Sequence, residues 1–336
     1  MLPEESHRNT ENPRVSIVMS FYKEPLQWIS CAVESIQKQS FTDFELLTVC
    51  DNPDYIPAID LIREKARKDP RIRLIENDRN LGQTISLNIG IAASRGEYIA
   101  RMDADDISHE DRLLKQTAFL DSRKDVSICA CDAHIINANG KVIRKNRYKR
   151  KNVPLDMFIS NCIAHPAVMF RRSLIELRSP LYDEEYRYSQ DYELWSWMML
   201  KGQKIHMLPD ALLLYRKSPS QISARHRHEQ DSFFRKAHRR MIAGWLACKG
   251  FISHGEDDPA KLLSICSTAY RHADAESREC LDRIIYVLYY SLGAHNWRHR
   301  LRYLTDRNMI MFRVRPIMTL RLLFTKARRR SRISII

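Results

Sequence analysis

RGEYIARMDADDIS, residues 95–108, is the stretch on which the fold turns. EYIARM, 97–102, is short and largely apolar, and reads as a strand. It runs directly into Asp103, Asp105 and Asp106, three carboxylates within four positions. Carboxylates held this close repel one another, and a divalent cation removes the conflict. Hard oxygen ligands suit Mg²⁺ or Mn²⁺. The spacing alone equally suits a turn capped by Asp105 or Asp106 with the other carboxylates in solvent.

Upstream, three more segments have the same character: RVSIVMS (14–20), FELLTVC (44–50) and RIRLIEN (71–77). Helical patterns separate them. Pro25 opens the first, where Leu26, Ile29, Val33 and Ile36 fall on one helical face. Residues 58–68 and 84–94 supply the next two, and Ser108 with Asp111 suggests a capping box for a helix over about 109–121. Strand–helix alternation with short connections predicts a parallel sheet flanked by helices, with ligands beyond the carboxyl ends of the strands. Three of those ends are polar: Ser20 to Glu24, Asp51-Asn52, and Asp103 to Asp106. Asp51 and Asn52 can read a base edge, and Phe21 and Tyr22 offer rings for stacking. Metal, phosphate and base sites on adjacent strand ends describe a nucleotide diphosphate pocket. Arg79 and Arg101 could assist the phosphates, although plain surface charge is the stronger reading for each.

Beyond residue 126 the alternation breaks. DVSICACDAHIIN (125–137) reads as a strand, Asn139-Gly140 as a turn and RKNRYKRK (144–151) as a basic loop. HPAVMFRR (165–172) predicts a further strand, QDYELWSWMMLKG (190–202) a helix stopped by Gly202, and KIHMLP and ALLLYR two closing strands. The expected organisation is a polar segment over 1–13, one α/β domain over 14–225, a helical region over 226–297 and a cationic tail over 298–336.

The 336-residue chain has a formal charge of +14, and its apolar content suits a substantial core. From Arg298 onward 11 Arg and one Lys face a single acid, Asp306, which leaves the first 297 residues near neutral at +3. RNMIMFRVRPIMTLRLLFTKARRRSR alternates arginine with apolar residues. Such a segment can lie in an anionic membrane surface, bind nucleic acid, or pack on the body with its arginines solvated; the first reading is preferred, and nucleic acid is not expected. Eight scattered cysteines form no CxxC pair, so buried free thiols in a reducing cytoplasm are expected rather than a zinc ribbon. The N-terminal MLPEESHRNTENPR has no apolar core and does not read as a secretory signal, and no stretch approaches bilayer-spanning length.

From Arg14 to about Ser223 the sequence resembles family 2 glycosyltransferases. VSIVMSFYKE, SIQKQSFTDFELLTVCDN, NLGQTISLNIGIAASRGEYIARMDADD, HPAVMFRRS and QDYELW match the family's segments in order. The resemblance implies the GT-A fold: a mixed, mostly parallel central sheet flanked by helices, here with a helical C-terminal extension. It places Ser20, Tyr22 and Glu24 at the nucleotide end, Asp51 on the uracil of a UDP-sugar, and Asp103 and Asp105 as the DxD pair, with Asp105 the direct metal contact. It makes Asp191 the general base and sets His165 and Trp195 on the acceptor side, His165 equally well in a structural role.

Several positions depart from the family pattern. Ser20 and Lys23 replace Pro and Asn, Cys50 the first Asp of a pair, Leu87 an Arg and Gln190 an acid, and YRKSPSQIS lacks a histidine after Tyr-Arg. The implied activity is inverting, metal-dependent transfer of one sugar, galactose ahead of N-acetylglucosamine or glucose, to a glycan acceptor carried on a lipid diphosphate. That describes surface polysaccharide assembly, O-antigen or exopolysaccharide, at the cytoplasmic face of the inner membrane. The absence of Q-x-x-R-W argues against processive synthesis. The competing reading is a nucleotidyltransferase or nucleotide-binding protein on a similar scaffold, but SFYKEPLQW lacks the glycine-rich phosphate loop it needs.

Overall fold

The computed structural model describes residues 12–145, 153–218, 221, 226–253, 256 and 258–293. The cationic tail and most of the 144–151 basic loop lie outside the described residues. The chain divides into two compact units. Among described residues the first comprises 12–145, 163–194 and 203–233, and the second 153–162, 195–202 and 234–293.

The first unit is built on one mixed sheet. Strands β1 (Val15–Phe21), β2 (Phe44–Cys50), β3 (Ile72–Glu76) and β4 (Tyr98–Asp103) alternate with helices α1 (Leu26–Gln37), α2 (Ile56–Lys68) and α3 (Gln83–Ala92). All seven positions of β1 and of β2 are buried, as parallel strands covered on both faces require. Their apolar, β-branched runs supply that burial. The four strands pair in parallel in the order β3-β2-β1-β4. Phe21 is in register with Cys50, and Ser20 with Asp103, so the three polar strand ends meet at one edge. The order reverses beside β1, which makes that edge the topological switch point.

Antiparallel pairing then extends the sheet. β5 (Ile107–Ser108) leads into α4 (Arg112–Ser122), followed by β6 (Ile128–Ile136), β7 (Val142–Arg144), β8 (Val168–Arg171) and β9 (Ile205–Arg216). β8 joins β4 to β6, β9 lies parallel to β6, β5 closes on β9, and β7 pairs with β6. Val15, Ile17, Met19, Ile29, Val33, Tyr98, Met102, Leu113 and Met169 belong to one buried core.

Local readings change in four places. The two closing strands are a single strand, β9, whose register against β6 shifts around Cys131 and Asp132. Pro209 has no N–H for the ladder, and the bulge takes up the irregularity. The Ser108–Asp111 capping box does not form. Ser108 is held in β5 and its amide donates to Ser35 Oγ (3.0 Å), while Asp111 accepts from Ser40 Oγ (3.0 Å). The strand expected over 165–172 narrows to β8, because His165–Ala167 around Pro166 forms a 3₁₀ turn. Pro25 stands at the N-cap of α1 rather than within its first turn.

Gly90 lets α3 lie directly on β1 and β2. A Cβ there would stand 2.5 Å from Val18 Cγ1 and 3.1 Å from Val49 Cγ2. In the second unit, α5 (Val153–Met157) joins α8 (Arg227–Cys248, which starts in the first unit), α9 (Pro259–His272) and α10 (Ala275–Gly293). Asp258 caps α9 through the amides of Ala260 and Lys261, both at 2.9 Å. Met241, Ile242, Leu246, Leu262, Cys266, Leu281 and Ile284 are buried there. All eight cysteines are free, and six are buried. α6 (Ser173–Leu177) belongs to the first unit, and α7 (Gln190–Leu200) has Gln190–Leu194 in the first and Trp195–Leu200 in the second. Among the described residues no helix is long and apolar enough to cross a membrane.

Candidate active site

The β1 end turns sharply. Glu24 folds back so that its Oε2 accepts from the amides of Tyr22 (2.7 Å) and Lys23 (3.1 Å). Burial pushes the Glu24 carboxyl above its ordinary range, and Asp103 adds to the rise. Tyr55 donates its hydroxyl to the Glu24 carbonyl (3.0 Å), tying the turn to the loop after β2. Tyr22 remains exposed, as a stacking ring must be, whereas Phe21 is in the core and cannot stack on a base.

Asp51, at the β2 end, is buried and heavily engaged. Its Oδ1 accepts from Asn77 Nδ2 and the Leu81 amide, both at 2.8 Å, and its Oδ2 accepts from the Gly82 amide at 2.9 Å. Gly82 has φ +90°, the left-handed backbone that brings these amides to the carboxylate. The carboxylate thereby fixes the loop that opens α3. Asn77 and the two amides are missing from the sequence reading; the Asn80-Leu81-Gly82 turn was their only visible trace.

At the β4 end the carboxylate oxygens of Asp103, Asp105 and Asp106 lie within 4.8 Å of one another. Asp103 forms an ion pair with Arg101. Arg101 is almost fully buried, so the surface-charge reading fails for it, while Arg79 is exposed. Asp105 accepts from Gln221 Nε2 at 3.0 Å. Burial first, and then the Asp103 charge, push the Asp105 carboxyl up to about 7. Asp106 is completely buried, accepts from the Arg216 amide (2.7 Å) through Oδ1, and has no partner for Oδ2 among the described residues. Burial and the other two aspartates raise it well above the usual carboxylate range. Hard oxygens in close array, one of them orphaned and the others mutually repelling, form a donor set that fits a divalent cation.

Arg216 and Gln221 brace this loop and were not singled out in the sequence. Arg216 Nε donates to the Asp105 carbonyl (2.6 Å), Nη1 donates to the Asn137 and Ala138 carbonyls (3.1 and 2.9 Å), and the guanidinium lies 4.9 Å from the Trp28 ring centroid. The Tyr-Arg pair in YRKSPSQIS was its signal.

Asp191 occupies the first turn of α7. Gln190 beside it donates to Gln83 Oε1 at 2.9 Å, and Gln83 Nε2 stands 3.5 Å from Asp103 Oδ1. His165 is buried with Nε2 2.7 Å from the Tyr182 hydroxyl, and burial lowers its pKa well below the ordinary value. Trp195 is fully buried and belongs to the second unit.

A switch-point edge that joins a tight turn, a buried carboxylate and an acidic strand end fits the GT-A class of glycosyltransferases. The comparisons narrow the class. Residues 16–178 match the model for glycosyl transferase family 2. An uncharacterized glycosyltransferase of Methanocaldococcus jannaschii is 34% identical over 209 residues, covering 61% of this chain and 71% of that one. The O-antigen biosynthesis glycosyltransferase WbnJ of Escherichia coli is 27% identical, covering 70% and 93%. The structure of S. aureus TarS in complex with UDP-GlcNAc superposes with a TM-score of 0.56 at 17% identity, covering 91% and 86%. The chain belongs to glycosyltransferase family 2, and it is a glycosyltransferase with the GT-A fold.

Proposed function

We propose that this enzyme transfers a single sugar from a UDP-sugar to a glycan acceptor, with inversion and with Mg²⁺ or Mn²⁺. The observation that carries the reading is the convergence of Asp51, Glu24 and the Asp103–Asp106 cluster at one sheet edge, linked through Gln83 and Gln190 to Asp191. Ser20, Tyr22 and Glu24 line the nucleotide end. Asp51 retains about one free lone-pair direction after its three internal hydrogen bonds, enough to accept from a uracil N–H. Asp103 and Asp105 would hold the cation, which when bound neutralises charge on the diphosphate as a Lewis acid.

The acceptor hydroxyl oxygen bonds to the anomeric carbon as the carbon–oxygen bond to UDP breaks. The bonding electron pair leaves with UDP, and the acceptor proton passes to the Asp191 carboxylate. A base so placed contributes about 10²–10⁴-fold. Family resemblance assigns His165 and Trp195 to the acceptor side; both are buried, and His165 is anchored by Tyr182.

Galactose is the first candidate sugar, before N-acetylglucosamine and glucose. Likeness to an O-antigen enzyme supports an acceptor on a lipid diphosphate in surface polysaccharide synthesis, and the cationic tail supports a peripheral place on the cytoplasmic face of the inner membrane. The test is release of the nucleoside diphosphate, UDP from UDP-galactose, UDP-N-acetylglucosamine and UDP-glucose and GDP from GDP-mannose, each with Mn²⁺, with Mg²⁺ or with EDTA. Metal-dependent turnover of a UDP-sugar is expected. Preference for GDP-mannose, or equal turnover in EDTA, contradicts the proposal.

A further inference from the structure

We propose that Thr84 and Asn88 of α3 are positioning residues for the base: they hold the 182–190 segment, and hence Asp191, at a fixed place relative to the donor site. The proposal rests on the reading of Asp191 as the base.

The segment from 178 to 189 has no helix or strand, so its backbone groups need partners from elsewhere. α3 supplies them. Thr84 Oγ1 donates to the Tyr186 carbonyl at 2.7 Å. Asn88 Nδ2 donates to the Tyr182 carbonyl at 2.9 Å and to Glu184 Oε1 at 3.1 Å, while Asn88 Oδ1 accepts from the Tyr182 amide at 3.0 Å. Gln83, one residue before Thr84, accepts from Gln190 at 2.9 Å. Thr84 and Asn88 are four residues apart on one helical face and both are buried. Buried polar side chains are unfavourable unless paired, and these two are paired to the segment that delivers the base.

The N-terminal end of α3, two residues before Thr84, is also fixed to the donor site, because the amides of Leu81 and Gly82 bind Asp51. The first turns of one helix therefore bear on both places. Ser189 adds a reason for the restraint. Its φ of +57° is a left-handed conformation that a serine keeps only where the surroundings hold it, and it lies two residues before Asp191. Nothing in the geometry of the base alone requires Thr84 or Asn88. The need arises because an irregular segment must present a carboxylate to within about an ångström.

The test uses the full chain and the UDP-sugar that it hydrolyses fastest with Mn²⁺, with water as the attacking hydroxyl. Thr84→Val keeps the side-chain shape and removes the donor, Thr84→Ser restores the donor, and Asn88→Asp keeps the acceptor while losing the amide donor. Thr84→Val and Asn88→Asp are expected to lower kcat about 10–100-fold, the loss typical of a small misplacement. UDP affinity and donor KM should stay within about twofold, and amide exchange over 182–190 should quicken. Thr84→Ser should recover most of the turnover. In an Asp191→Asn background Thr84→Val should cost no more than about twofold, since residues that act as a unit are not additive. If Thr84→Val multiplies the Asp191→Asn loss in full, or leaves kcat and exchange unchanged while Asp191→Asn is inactive, positioning by α3 is overturned. Normal turnover by Asp191→Asn instead overturns the base reading on which the proposal rests.

Discussion

Asp51 and Asp103 stand out in the sequence because each ends an apolar strand pattern, and Asp191 through the QDYELW resemblance to the family, yet their surroundings do not. Asn77 and the Gly82 amide reach Asp51 from 26 and 31 residues away, and Arg101 looks like any surface arginine until its strand is seen to be buried on both sides. Long-range partners of this kind leave no local signal. Away from the site, Asp69 offers a test of how well the electrostatics are understood. Its carboxylate accepts from Arg71 Nε (2.9 Å) and Nη2 (2.8 Å) and from Gln37 Nε2 (3.2 Å), and the Arg71 hydrogen bonds chiefly hold its pKa at about 2 against an ordinary 3.8. A depressed carboxylate stabilises the fold above its unfolded pKa and loses that contribution as pH falls through the folded value. Asp69→Asn is therefore expected to cost on the order of 1–2 kcal/mol at pH 7. The difference from wild type should shrink from about pH 4 downward and vanish below about pH 2. Urea titrations across that range check it, and a pH-independent difference contradicts it.

The elements divide by how much of their cause is local. β1, β2 and β4 were legible because parallel strands buried on both faces need continuous apolar runs. α1 was legible from its single apolar face. β9 was misread as two strands because Pro209 breaks the pattern, while the bulge that accommodates it depends on β6. The capping box failed for a related reason: Ser108 has a better partner in Ser35, 73 residues away. Thr84 and Asn88 on α3 find their partners in Tyr182 and Tyr186, about 100 positions downstream, which the helical pattern over 84–94 does not reveal. The apolar side of α3 makes a separate prediction. Gly90→Ala gains helix propensity of about 1 kcal/mol but drives a methyl to 2.5 Å from Val18 Cγ1. Overpacking of this sort typically costs about 1–3 kcal/mol, so net destabilisation is expected. Thermal unfolding measures it, and a raised melting temperature would show that β1 and α3 can separate without loss.

At the scale of the whole molecule, the asymmetry of charge is the feature that the sequence shows most plainly. The tail from Arg298 carries 11 of the 14 net positive charges, while the acidic site lies in a body close to neutrality. If the tail seats the enzyme on an anionic surface, full-length protein should float with phosphatidylserine-containing liposomes and be released as salt rises. A chain truncated before Arg298 should stay at the bottom of the gradient, and equal flotation of the two forms contradicts a tail-borne attachment. The family and the GT-A fold follow from five ordered segments, whereas donor sugar and acceptor depend on side chains that those segments do not include. The proposed reaction turns on Asp191, and the direct measurement pairs two quantities in wild type and Asp191→Asn: turnover of the preferred UDP-sugar and affinity for UDP. With Asp191 as the base, turnover falls about 10²–10⁴-fold while UDP affinity stays within about twofold. Near-normal turnover with intact UDP binding would contradict it.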